Sequence, residues 1–255
     1  MILVFVLIAV ASLGHAVGRW LKAPAEKESD GQDGYIISAV LGLLALLTGF
    51  TFSLAIDRFE TRREAVLTEA NAIGTAYLRA QLLEEPHRAR LSRMLVAYTD
   101  NRIALGTARA ADTKELLAAN DQLITDLWTA TVAAFPSIRS YDFSSSFIDA
   151  MNLVIDMDST RKTARLARVP TEVFAALMFY QIVTAGVLGY ALSRPRGRLA
   201  SGFLLSLFVL SLLLIIDINR PNSGGVSESQ APMIALRDSL RAQPPEIFDR
   251  FNEAR

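Results

Sequence analysis

Apolar residues fall in four blocks along the chain, Met1–Val17, Tyr35–Ile56, Val169–Leu192 and Leu199–Ile216. A hydrocarbon core of about 30 Å needs about 20 helical residues, so each block is long enough to span a bilayer. The pattern predicts transmembrane helices over 1–20, 35–56, 169–192 and 199–216. Between them it predicts a charged, solvated linker over 21–34, a helical domain over 57–168, a turn over 193–198 and a tail over 217–255. The turn carries Pro195 and Gly197, which should break any continuous helix and leave a tight membrane hairpin.

The second block ends in Asp57–Arg58 and runs without a breaker into the charged stretch Glu60–Arg79. A span fused to a soluble helix suits a channel or a sensor. In that stretch Val66, Ala70, Ile73, Tyr77 and Ala80 recur at spacings of three and four, one face of an amphipathic helix. Glu84–Glu85–Pro86 ends it. A second helix carries Leu91, Leu95 and Tyr98, and a third opens at Asp112–Thr113 and should stop at Phe135–Pro136. Ser144–Arg168 supplies a fourth, with Phe147, Met151 and Val154.

The first block has no Lys or Arg before it, and its first basic residues, Arg19 and Lys22, follow it. A cleavable signal has the reverse order, so an uncleaved span is expected. Basic residues flank the middle segment at Arg58, Arg62 and Arg63, and again at Arg161, Lys162, Arg165 and Arg168. Positive-inside counting favours, by a narrow margin, a cytoplasmic middle domain and tail.

Composition changes the picture mainly by exclusion. The chain is 51% hydrophobic and 20% charged with a formal net charge of zero, which points away from nucleic acid. With no cysteine, thiolate catalysis and Cys-ligated metals are out. Only His15 and His87 are present, and no metalloprotease, phosphate-loop or nucleophile-elbow motif occurs. Asp156 and Asp158 point to different faces of a helix and make a poor metal pair. We expect no enzyme, no cofactor and no metal site.

The second span carries two stripes. Ser38, Gly42, Ala45 and Gly49 form a small-residue stripe of the kind that lets helices approach closely in lipid. Leu46, Phe50 and Ser53 lie beside it and lead to Asp57. Both stripes could pack this helix within one four-helix unit. Alternatively the helix lines a symmetric axis, with Leu46 and Phe50 as a constriction that gates by dewetting. Further on, Glu69 and Arg79 sit among small and apolar residues, ten positions apart, so they cannot pair within one helix. A salt-bridge network between subunits is the expected reason for them, with Arg102 and Glu172 as partners by type.

Gly49–Phe50, Ser53, Arg58–Phe59 and Arg63 also stand in the register of the second membrane helix of the bestrophin channels, which this stretch resembles. The chain more closely resembles a bacterial bestrophin-like family over most of its length. The shared motifs are G-F-T-F-S at Gly49–Ser53, D-R-F-x-x-R-R at Asp57–Arg63, E-A-N-A-I-G-T-x-Y-L-R at Glu69–Arg79 (with Asn71) and D-x-x-R-P at Asp217 and Arg220–Pro221.

That resemblance implies an all-α integral membrane fold with a helical cytoplasmic domain. It also implies a pentameric homo-oligomer in a bacterial inner membrane, passing small ions through a neck that includes Leu46 and Phe50. Where bestrophins place a bulkier residue one turn before, this chain has Gly42, so a third constriction ring is not expected. Thr51–Phe52 stands where many bestrophins carry a polar or basic pair, which leaves ion selectivity open. The stretch Asn222–Pro232 holds only Glu228 as an acid, so no calcium clasp is expected. The alternative function is a non-conducting membrane sensor or scaffold.

Overall fold

The computed structural model describes residues 2–21, 29–108, 111–192, 195–221 and 224–250. Its helices are α1 (Ile2–Leu21), α2 (Ser29–Ala80), α3 (His87–Thr107), α4 (Thr113–Ile138), α5 (Ser144–Leu166), α6 (Thr171–Ala191), α7 (Pro195–Ile218) and α8 (Ala231–Ala242). A 3-10 turn follows at Pro245–Asp249. The described residues contain no strand. The chain divides into two compact units, Met1–Arg58 with Arg168–Arg220, and Phe59–Ala167 with Pro221–Arg255.

The first unit is the membrane part: among the described residues four helices are long and apolar enough to cross a bilayer. Its tightest crossing joins α1 to α6. A Cβ built on Gly189 would fall on the carbonyl of Ala11, and one on Gly14 would meet the carbonyl of Gly186. Glycine at both points lets the two backbones touch, which gains dispersion contacts where lipid offers no hydrophobic drive. Leu7, Ala185, Leu188 and Leu205 form the buried centre around that crossing, with Ile37 and Leu41 of α2 packed against it.

Several hydroxyls in this unit satisfy themselves locally. Thr48 and Thr51 donate to the carbonyls of Leu44 and Leu47 at 2.7 and 2.8 Å, and Thr184 to that of Tyr180 at 2.7 Å. Such back-bonding hides a hydroxyl where no water is available. Buried Gln181 donates to the carbonyl of Phe208, tying α6 to α7. At the start of α6, Pro170 has no N–H to give, and the preceding amide of Val169 donates to Asn219 Oδ1 at 2.9 Å.

In the second unit the apolar face of α2 shares one core with residues of α3, α4, α5 and α8. Ile73, Leu91, Leu95, Tyr98, Leu127, Phe147, Met151 and Met233 are all fully buried in one core. Each apolar side chain of that size contributes about 1.5–3 kcal/mol. The face Val66, Ala70, Ile73, Tyr77 and Ala80 is buried throughout.

Several boundaries differ from expectation. Residues 29–34 of the expected linker already belong to α2, and residues 22–28 lie outside the described ones. α6 and α7 are separate helices, but positions 195–198 of the expected turn already belong to α7, which Pro195 opens because the first turn of a helix needs no N–H from that position. Positions 193 and 194 of the expected turn lie outside the described residues. The third helix of the soluble unit does not stop at Phe135–Pro136. It runs to Ile138, with Pro136 inside its last turn. The tail is not a separate appendage: Met233 and Leu240 of α8 complete the second core. In the stretch compared with the calcium clasp, positions 222 and 223 are outside the described residues.

Candidate functional site

Two groupings of polar or exposed residues invite a functional reading, one in each unit. In the soluble unit Glu69, fully buried on α2, anchors an ionic network. Its Oε1 accepts the hydroxyl of Tyr98 at 2.7 Å and lies 2.8 Å from Arg102 Nε. Its Oε2 accepts Arg161 Nη1 at 2.5 Å. Arg102 Nη1 reaches Asp158 Oδ1 at 3.0 Å and Asn120 Oδ1 at 3.2 Å, and Asn120 in turn donates to Asp158 at 2.9 Å. Lys162 closes the outer edge, 2.7 Å from Asp158 and 2.6 Å from Asp121. The C-terminal segment joins through Gln230, which accepts from Arg161 at 3.2 Å, and through Glu228, which is paired with Arg62.

Electrostatics follow from this packing. Burial pushes the Tyr98 hydroxyl well above its ordinary value, and the Glu69 carboxylate adds to the effect. Burial opposes the charge on Arg102, yet Glu69 and Asp158 outweigh it and hold the guanidinium above its usual range. Arg165, which donates to the carbonyl of Leu105, is pushed down by burial and then by repulsion from Arg161 and Arg102.

Glu69 and Asp158 balance Arg102 and Arg161, so the centre is neutral and its carboxylates are paired. The adjoining cavity, bounded by Arg62, Arg161, Arg165 and Glu228, measures about 10 Å³, room for one water at most. No substrate fits there. The network is a lock between helices.

This corrects the expectation of a network between subunits: Glu69 finds its partners, Arg102 among them, within its own chain. Arg79 likewise donates to the carbonyl of Ser146 on α5. Glu172, the other partner considered by type, lies in the first turn of α6 in the membrane unit. Asn71 is exposed. Asp156 and Asp158 part as expected, the first exposed and the second buried. Sequence reasoning missed Arg161 and Asn120 as network members, although an Asn in an otherwise apolar helix face is a usable sign. Among the described residues no three His, Asp or Glu side chains converge as metal ligands.

In the membrane unit α2 has two contrasting faces. Leu44, Thr48, Thr51 and Ala55 are buried against the rest of the unit. The opposite face carries Ser38, Gly42, Ala45, Gly49 and Ser53, all exposed, together with Leu46 and Phe50 at 53% and 62% exposure. A Cβ added at Gly42 or Gly49 would meet nothing within 4 Å. The stripes therefore do not pack this helix inside the chain, which removes that alternative. Thr51 of the Thr51–Phe52 pair points away from the open face. Asp57 is exposed but engaged, Arg58 is half-buried, and Arg63 pairs with Glu60 at 3.3 Å on the surface of the soluble unit. Asp217 is half-buried and Arg220 exposed at the end of α7, where the Arg220 amide donates to the Asp217 carbonyl.

The whole-chain arrangement has known counterparts. A bacterial bestrophin homologue from Klebsiella pneumoniae superposes with a TM-score of 0.65 at 16% identity, over 96% of this chain and 97% of that one. A single-substitution variant of that homologue gives a TM-score of 0.69 at 14% identity, covering 96% of this chain and 100% of its own. A crystal structure described as a membrane protein gives 0.71 at 15%, over 94% and 97%. No curated protein matches the sequence. The model of the bestrophin-like domain matches residues 4–233, and on that match this multi-pass membrane protein belongs to the bestrophin-like family.

Proposed function

We propose that the protein is an ion channel: a homo-oligomeric ring, pentameric as the resemblance implies, whose α2 helices surround the axis. Leu46 and Phe50 form its neck, and it sits in the cytoplasmic membrane of a bacterium. The observation that carries this reading is the open face of α2. Two large apolar side chains one helical turn apart project from a helix whose other face is already packed. Repeated by symmetry, they make a ring too apolar to hold a continuous water column, so resting conductance is low. The likeness to bacterial bestrophin homologues supports the fold that this reading assumes.

The experiment is electrical. Purified protein in planar bilayers should pass little current, and the double variant Leu46→Ala, Phe50→Ala should pass more without loss of assembly. Leu47→Ala, on the half-buried side, should change it little. Silence of both proteins across several ions and voltages, with assembly intact, overturns the channel. A second reading, a non-conducting sensor or scaffold, then stands on the continuity of α2 as one helix of 52 residues.

A further inference from the structure

We infer that the membrane unit holds an anionic phospholipid in a cleft between α1 and α7. The cleft measures about 760 Å³ and is bounded by both helices, with the end of α6 as its floor. Along most of its length the walls are hydrocarbon: Leu7, Ile8, Leu205 and Val209 line it, and no acid does. Its charged and titratable groups stand at one end, His15 and Arg198 beside Ser12 and Ser201, while Ser206 farther along turns its hydroxyl onto the Gly202 carbonyl. The wall is thus an apolar trough with a cation at its mouth, the distribution of a phospholipid in reverse.

Length supports a single lipid. From Val4 to His15 on α1 the wall rises about 17 Å, and from Arg198 to Leu213 on α7 about 22 Å, at 1.5 Å per residue. One leaflet is about half of a 30 Å hydrocarbon core. The cleft is therefore deep enough for an acyl chain and its headgroup region, and too short to need a second leaflet. The headgroup end is the end that carries the α6–α7 turn.

Charge selects the headgroup. Arg198 is exposed and presents a fork of N–H donors to phosphate oxygens. His15 lines the same end of the cleft, and its Nδ1 is buried with no hydrogen-bond partner among the described residues. A zwitterionic lipid would bring its own cation to the same mouth and lose part of the attraction.

Native mass spectrometry of the detergent-purified protein tests this, with phosphatidylglycerol and phosphatidylcholine of identical chains added separately. The wild type should retain phosphatidylglycerol roughly tenfold better, the size of one charge-assisted hydrogen bond. Arg198→Gln should erase that preference while leaving chain-dependent retention of both lipids. Gly202 lines the cleft, and a Cβ there meets nothing within 4 Å, so Gly202→Phe should fill the trough without disturbing the fold and reduce retention of both lipids. Equal retention of the two lipids by the wild type overturns the proposal, as does unchanged retention by Gly202→Phe. Loss of the oligomer in Gly202→Phe would show a neighbouring copy in the cleft and overturn it equally.

Discussion

Glu69 and Arg102 form an ion pair that water does not reach: the atoms stand 2.8 Å apart, with side chains 0% and 2% exposed. Paired charges in such a place cost little net stability, whereas one left alone costs much. Glu69→Ala would leave the buried Arg161 without its carboxylate and Arg102 with Asp158 alone, and should lower the unfolding free energy by about 3–5 kcal/mol. Thermal unfolding of the purified protein measures this. Glu60→Ala, which breaks only the exposed pair with Arg63, should cost less than about 1 kcal/mol.

Tyr98 adds an alkaline signature. Its hydroxyl ionises above the ordinary value of 10.0 in the folded state, so the folded chain holds that proton more tightly than the unfolded one. The stability this contributes is full below pH 10 and disappears as the pH rises through the folded value. Unfolding midpoints should fall more steeply above pH 10 in the wild type than in Tyr98→Phe. Equal slopes would remove Tyr98 as the cause.

The α1–α6 crossing and the open face of α2 both contain glycine, with opposite consequences. Gly189→Ala places a methyl on the Ala11 carbonyl and should destabilise the membrane unit by about 1–3 kcal/mol. Gly42→Ala meets nothing and should leave the stability of the chain unchanged. Urea or thermal unfolding in detergent separates the two.

Assembly is tested at Gly49. If the open face of α2 lies between copies, Gly49→Leu should break the oligomer while the isolated chain keeps its helical content, since a Cβ there touches nothing of its own chain. Native mass spectrometry with circular dichroism reads both. An unchanged oligomer puts that face against lipid.

Orientation is open to chemical labelling because the chain has no cysteine. Ser145 and Ser227 are both exposed, so Ser145→Cys and Ser227→Cys can each carry a probe. With the soluble unit in the cytoplasm, neither should react with a membrane-impermeant maleimide in intact cells.

Much of this protein is written in the order of its residues. Runs of apolar side chains announce membrane helices because lipid accepts no other spanning element from such a run, and that constraint is local. Periodicity likewise marks the buried face Val66–Ala80, since a helix turns the same way wherever it lies. What three-dimensional packing alone decided is which residues meet. Glu69 could be recognised as needing partners, but Arg161, 92 positions away, is brought to it by the packing of α5. The small-residue stripe of α2 read as the tight helix crossing. Within the chain a close crossing lies at Gly14 and Gly189, because close approach depends on which faces two helices present to each other, and spacing along one helix cannot specify its neighbour.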